Sequence, residues 1–160
     1  MAREIERKFL LASEDWRAAV QHRTELCDGI IALGDGRKVR LRFYDDSKVT
    51  LSLKGPRTGM SRDEFEYPIP YEDGQAMLAA HFGGPTICKT RHHVMHAEQR
   101  WTVDEYRGVL SGIVIAEIEL ASEAADFTRP PWLGTEVTFD KSYRQSSLLR
   151  HRMAALADSA

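Results

Sequence analysis

Several short stretches of this chain alternate between apolar and charged side chains, and that alternation limits the fold more than any other feature. In KVRLRFY, Val39, Leu41 and Phe43 fall on one face while Lys38, Arg40 and Arg42 fall on the other. In VTLSLK, Val49, Leu51 and Leu53 oppose Thr50, Ser52 and Lys54. Phe65 and Tyr67 oppose Arg62, Glu64 and Glu66; Trp101 and Val103 oppose Thr102 and Asp104; Ala116, Ile118 and Leu120 oppose Glu117 and Glu119. Lys89 and Arg91 share a face, as do Glu4, Glu6 and Lys8, a charged row roughly 13 Å long in an extended chain. A period of two is the mark of a strand with two unlike faces. The runs Ile5–Leu11, Lys38–Tyr44, Val49–Lys54, Arg62–Ile69, Ile87–His96, Arg100–Tyr106 and Ile113–Leu120 therefore read as strands, with Glu25–Leu33 and Glu136–Phe139 as further candidates. Turn residues separate them about every ten positions, the spacing of a barrel or a sandwich.

Helical stretches interrupt the pattern. Ser13 is placed to cap a helix whose first turn holds Glu14 and Asp15, where the helix dipole favours acids. Tyr71–His81 reads as a second helix ending near Gly83-Gly84. From Ser142 to Leu156, Leu149, Met153 and Leu156 form an apolar stripe suited to cover one side of the sheet.

A wet outer face is the ordinary reading of each charged row. The set as a whole points elsewhere. Arg, Lys and Glu crowd these faces, often with like charges at i and i+2, which repel. If the sheet closes, the helices need the apolar faces, so the charged faces line the interior. A lumen of unpaired charges is costly to desolvate unless it is wet and holds a charged ligand. On this reading the empty protein carries self-repulsion among Arg40, Arg42 and their neighbours. Lys8, Arg40, Arg42, Lys54, Lys89 and Arg91 suit a polyanion, because arginine forks match phosphate oxygens and lysine supplies point charge. Glu4, Glu6, Glu117 and Glu119 suit Mg²⁺ or Mn²⁺, hard cations that take oxygen ligands. Together these describe a site for phosphoryl transfer by positioning and charge neutralisation.

Composition sets the outer bounds. The 160 residues fit one domain, 1–160, with 42% hydrophobic and 29% charged residues. A net charge of -2 argues against a nucleic-acid surface or a membrane-surface patch. No apolar run approaches the ~20 residues of a membrane span. The start of the chain lacks the apolar core of an export signal, and Cys27 and Cys88 are expected to be reduced, small buried residues of a cytoplasmic protein.

The segments EIERKF, VRLR, TLSLKG, RDEFEYPI, KTRH, WTVDEYRG, EIEL and VTFDKSYRQSSL, in that order, resemble the CYTH family of triphosphate tunnel metalloenzymes. The resemblance implies an α+β chain built as an eight-stranded antiparallel closed β-barrel with flanking helices. It implies a metal-dependent triphosphatase acting on inorganic triphosphate or a small organic triphosphate. Glu4, Glu6, Glu117 and Glu119 become metal ligands, with Glu64, Glu66 and Asp104 as helpers. Lys8, Arg40, Arg42, Lys54, Lys89 and Arg91 become triphosphate ligands. Lys8 and Lys89 are the expected catalytic lysines, and Lys89 corresponds to a lysine proposed to activate water, its pKa lowered by neighbouring cations. Small bacterial members carry a Gly-Tyr pair on the second strand where this chain has Gly29-Ile30, so that hydroxyl is absent or comes from elsewhere, with Tyr143 a candidate. Alternatives are a class IV-type adenylyl cyclase and a non-catalytic polyphosphate- or nucleotide-binding module. A homodimer is compatible with all of them. His92, His93 and His96 do not read as a zinc site, because His93 points away from the other two. Trp16 reads as core.

Overall fold

The computed structural model describes residues 3–81 and 83–158. Nine strands and two α-helices follow in chain order: β1 (Arg3–Leu11), β2 (Val20–Gly34), β3 (Arg37–Tyr44), β4 (Lys48–Lys54), β5 (Ser61–Ile69), α1 (Tyr71–His81), β6 (Ile87–His96), β7 (Gln99–Tyr106), β8 (Val114–Glu119), β9 (Leu133–Glu136) and α2 (Gln145–Ala157). All pairings are antiparallel, in the order β5-β4-β3-β2-β6-β7-β8-β1, and β1 meets β5 to close an eight-stranded barrel. Closure removes the open edges that a sheet of this length would otherwise expose. One edge of β1 is shared. Its start pairs with β5 at Arg3–Ile5, and its end pairs with β9 at Phe9 and Leu11.

Three apolar clusters hold the barrel. Phe9, Trp16, Val94, Trp101, Val103, Ala116, Ile118, Trp132 and Leu133 pack outside β1, β6, β7 and β8. Leu41, Phe43 and Val49 pack outside β3 and β4 beneath Tyr71, Met77 and Leu78 of α1. The approach of α1 is close: a Cβ on Gly74 would lie 2.8 Å from Val49 Cγ1. The third cluster, Ile87, Tyr106, Leu110 and Ile115, lies at one end of the barrel, where Tyr143, Leu148 and Leu149 pack onto it.

That last contact corrects the expectation for the C-terminal stripe. Leu149 is half-buried at the end of the barrel, but Met153 and Leu156 are 40% and 53% exposed. The helix stops the barrel end with its first turns rather than lying along the sheet. Further expectations shift, among them β2, which runs over Val20–Gly34 rather than the expected Glu25–Leu33. The segment after Ser13 forms a single 3-10 turn, Asp15–Ala19, with Ser13 Oγ donating to Asp15 Oδ2. The last strand lies at Leu133–Glu136, ahead of the expected Glu136–Phe139, which leaves Phe139 68% exposed.

Cys27 and Cys88 are not free thiols. They face each other across β2 and β6 and form a disulfide with Cα atoms 4.1 Å apart. Direct cross-strand opposition brings the two sulfurs together, and sequence spacing of 61 residues gave no hint of it. The reduced-compartment reading therefore loses its support from the cysteines.

Candidate active site

Directly opposed residues in an antiparallel pair share a face, so the register fixes what lines the lumen. Lys8 opposes Glu117 and Glu6 opposes Glu119 between β1 and β8. Arg42 opposes Asp28 and Thr50, Arg40 opposes Ser52, and Lys38 opposes Lys54. Lys54 opposes Glu64, and Glu4 opposes Arg62. Arg91 opposes Asp104, and Lys89 opposes Tyr106. Most apolar partners of the alternation point outward into the clusters above, but Leu53, Phe65 and Tyr67 stay 45%, 38% and 56% exposed on the outside of β4 and β5. All thirteen expected site residues thus share one interior, a tunnel of about 1160 Å³ lined by Glu4, Glu6, Lys8, Arg40, Lys89 and Arg91 among others. Asp104 lies behind that lining at 0% exposure.

The expected self-repulsion is not what the tunnel shows, because most of its cations are matched to acids. Arg42 donates from Nε and Nη2 to the two oxygens of Asp28, at 2.7 and 2.8 Å. Arg91 donates in the same way to Asp104, at 2.7 and 2.8 Å, and lies 3.4 Å from Glu117. Lys89 pairs with Asp104, and Lys8 with Glu117 and, at 3.2 Å, with Glu6. Lys54 bridges Glu4 at 3.0 Å and Glu64 at 2.8 Å. Arg40 lies 3.6 Å from Glu66 and 3.8 Å from Glu64. Lys38 is an exception: it faces Lys54 and has no ion-pair partner among the described residues, and burial, Arg40, Lys54 and Arg62 discourage it from holding its proton.

These contacts set the proton affinities. Burial lowers Lys89, Asp104 opposes that, and Arg91 and Arg42 add to it, leaving the amine at about 8. Cation crowding was the expected cause, but burial is the larger one. Burial also works against the charge on Lys8, yet Glu117 and Glu6 more than offset it and hold Lys8 firmly protonated. Of the two expected catalytic lysines, only Lys89 can be neutral near pH 8. Asp104 is buried, and Arg91 and Lys89 keep it ionised. Both of its oxygens are already taken by these two cations, so it supports Lys89 and Arg91 rather than a metal.

The metal-ligand candidates divide in a similar way. Burial disfavours charge on Glu6, but Lys8, Arg62 and Arg57 hold it at about 2; Glu4 is held low against burial by Lys54 and Arg62. Glu119 behaves differently. Burial and the nearby charges of Glu4 and Glu6 raise it, and its side chain has no ion-pair partner among the described residues. Two carboxylates directly opposite each other repel, and a hard divalent cation between them would relieve that repulsion. The donor set of Glu4, Glu6, Glu117 and Glu119 is all oxygen and fits such an ion. Among the described residues, however, no three acidic, His or Cys side chains are already gathered around one point. Glu64 and Glu66 are drawn to Lys54 and Arg40 instead.

Four tunnel residues escaped the sequence reading as site residues: Asp28, Lys38, Arg57 and Arg62. Arg57 donates to Glu6 at 2.7 Å from the loop before β5, and Arg62 pairs with Glu4. Lys38 and Arg62 were legible as members of charged faces. Asp28 was legible only as an acid set among Cys27, Gly29 and Ile30. Among the described residues the histidines form no group that could hold a metal. His92 is buried outside the barrel against Trp16 and Glu105, while His93 stacks on His22 at 3.9 Å.

The chain matches the CYTH domain over residues 2–151. It belongs to the CYTH family. It is 38% identical over 154 residues to an inorganic triphosphatase of Acetivibrio thermocellus, covering 94% of this chain and 96% of that one. It is 34% identical over 149 residues to an inorganic triphosphatase of Nitrosomonas europaea, covering 91% and 95%. The crystal structure of the inorganic triphosphatase NE1496 superposes with a TM-score of 0.64 at 32% identity, covering 91% of this chain and 97% of that one. A Hippeastrum protein described as a putative adenylyl cyclase with a dominant triphosphatase activity shares the fold at 18% identity and a TM-score of 0.56. Within the CYTH frame the closed barrel is the expected one, with β9 added beside β1 and α2 stopping one end.

Proposed function

We propose that this CYTH protein hydrolyses inorganic triphosphate to pyrophosphate and phosphate with a divalent metal ion, Mg²⁺ or Mn²⁺. The observation that carries the reading is Lys89: a buried amine paired with Asp104 beside two arginine forks, its proton affinity drawn down to about 8 by burial and by Arg91 and Arg42. The similarity to two inorganic triphosphatases above 30% identity supports the substrate.

In this mechanism Arg40, Arg42, Lys54, Arg91 and Lys8 hold the phosphate chain. Arg42 spends Nε and Nη2 on Asp28, which leaves Nη1 free to donate to a phosphoryl oxygen. Neutral Lys89 accepts a proton from a water molecule, whose oxygen attacks the terminal phosphorus while the bond to the bridging oxygen breaks. The products are phosphate and pyrophosphate. The new ammonium lies beside Asp104, whose carboxylate stabilises it. Glu4, Glu6, Glu117 and Glu119 are the residues that would hold the metal. When bound, it supplies charge neutralisation at the phosphoryl oxygens. Phe9, Trp101 and the other core residues outside the wall keep these groups in register.

With that substrate the working compartment is the cytoplasm, where phosphoanhydrides are made and spent, although the Cys27–Cys88 bond pulls the other way. Among the described residues no helix is long and apolar enough to cross a membrane. The test is phosphate release from inorganic triphosphate, thiamine triphosphate, ATP and long-chain polyphosphate with Mg²⁺ or Mn²⁺, assaying cyclic AMP in the same samples. Preference for inorganic triphosphate is expected. Cyclic AMP from ATP with no phosphate from triphosphate would replace the hydrolase with a cyclase.

A further inference from the structure

Asp28 is 0% exposed on the lumen face of β2, opposite Arg42 of β3 and Ile87 of β6. Its two oxygens take three hydrogen bonds: Arg42 Nε at 2.7 Å, Arg42 Nη2 at 2.8 Å and Gln145 Nε2 at 2.7 Å. Arg40 Nη1 stands 3.7 Å away. Gln145 is the first residue of α2, the helix that stops this end of the barrel. Asp28 therefore sits where the apolar stopper meets the cation-lined tunnel.

We propose that Asp28 is the positioning residue of the phosphate clamp, fixed on the wall by Gln145 so that Arg42 presents one orientation to the triphosphate. The inference rests on the function proposed above and adds a residue to it.

Stability alone gives a poor reason for an ion pair here. A buried pair seldom stabilises a fold relative to apolar residues of similar volume. Ile30, Ile87, Tyr106 and Ile115 already surround this end, so an apolar pair would extend a cluster that exists. What the carboxylate gives Arg42 is orientation. A free arginine side chain samples many rotamers and must be ordered when phosphate binds. Two parallel bonds to one carboxylate fix the guanidinium plane in advance and leave Nη1 to meet the ligand. Gln145 removes the remaining freedom, because it donates to the same Oδ2 that receives Arg42 Nη2, and a carboxylate tied there to α2 cannot turn with the arginine. Asp104 grips Arg91 by the same two-bond geometry on the adjoining strands β6 and β7, so both forks are held from behind by an aspartate. Among the described residues, only the Asp28 arm is tied to α2.

The experiment compares wild type, Asp28→Asn, Arg42→Ala, the double variant and Gln145→Ala, by steady-state kinetics on inorganic triphosphate and by calorimetric binding of it. Asp28→Asn is expected to raise KM about tenfold or more with kcat changed far less, since the arginine survives but is no longer aimed. In the Arg42→Ala background the same change should add nothing, because a residue acting through Arg42 has nothing left to aim. A structural role would instead multiply the two effects. Gln145→Ala should raise KM in the same direction, by a smaller factor, with little change in melting temperature. An unchanged KM in Asp28→Asn, or multiplying effects in the double variant, overturns the proposal. If Asp28→Asn does not fold, Gln145→Ala decides, and an unchanged KM there overturns it. A wild type that turns over no triphosphate overturns the function instead. The clamp is then judged by triphosphate binding alone, where equal affinity of wild type and the decisive variant overturns it.

Discussion

If Lys89 is the base that takes the proton from water, the free enzyme must lose activity as this amine protonates. With a pKa of about 8, roughly one amine in eleven is neutral at pH 7 and ten in eleven at pH 9. The value of kcat/KM should therefore rise about tenfold between pH 7 and pH 9 and then level off, because that ratio reports the free enzyme. An ordinary lysine near 10.5 would give a rise of about a hundredfold over the same interval, with no plateau. The assay is phosphate release at low triphosphate and fixed metal from pH 6.5 to 10, alongside an NMR titration of the lysine side chains in the empty protein. Stability provides a second reading with a definite sign. Between pH 8 and 10.5 the unfolded chain holds the Lys89 proton and the native chain does not, so stability rises with pH there. Lys89's share is about 2 kcal/mol between pH 7.5 and 9.5, and urea melts of wild type against Lys89→Met isolate it. A flat kcat/KM from pH 6.5 to 8.5, or a limb that survives unchanged in Lys89→Met, would refute Lys89 as the base.

Arg42→Ala should destabilise the empty protein by about 3 kcal/mol in urea melts, since it strips the buried Asp28 of both its arginine hydrogen bonds and leaves Gln145 and the more distant Arg40. The like-charge reading of the sequence expects no loss at all. Chelation by EDTA should abolish triphosphate hydrolysis and added Mg²⁺ or Mn²⁺ should restore it, while Glu6→Gln should lower kcat by about a hundredfold or more, on the order of 3 kcal/mol; turnover in EDTA sinks the metal assignment. Reducing Cys27–Cys88, whose residues lie 61 apart in sequence, should lower stability by up to about 4 kcal/mol. Thiol titration of the denatured, unreduced protein should find no free thiol.

Most of the barrel was legible because its determinants are local. Period-two alternation in Lys38–Tyr44 or Ile87–His96 is written in consecutive residues, and the observed strands agree to within a residue or two. The inward turn of the charged faces was also deducible for the walls whose apolar faces are covered, at Leu41, Phe43, Val49, Trp101 and Val103. What stayed hidden depends on which residues meet across strands. Pairing in the tunnel follows register: Asp28 faces Arg42, and Asp104 faces Arg91, only once β2, β3, β6 and β7 are aligned. A one-residue slip would send every one of these side chains to the other surface. The same alignment joins Cys27 to Cys88 on the opposite face, directly beside Asp28 and Lys89 in sequence. Sequence could count the cations and place them inside, but it could not show that most already had partners. The chemistry turns on that difference. A tunnel of unpaired charge would bind any polyanion loosely at a high cost to folding, whereas forks fixed by their own aspartates bind with little left to order. Arg42 weighs on Arg40 more than Asp28 relieves it, so Arg40 keeps part of the expected repulsion, while Asp28 fixes the Arg42 guanidinium by two bonds.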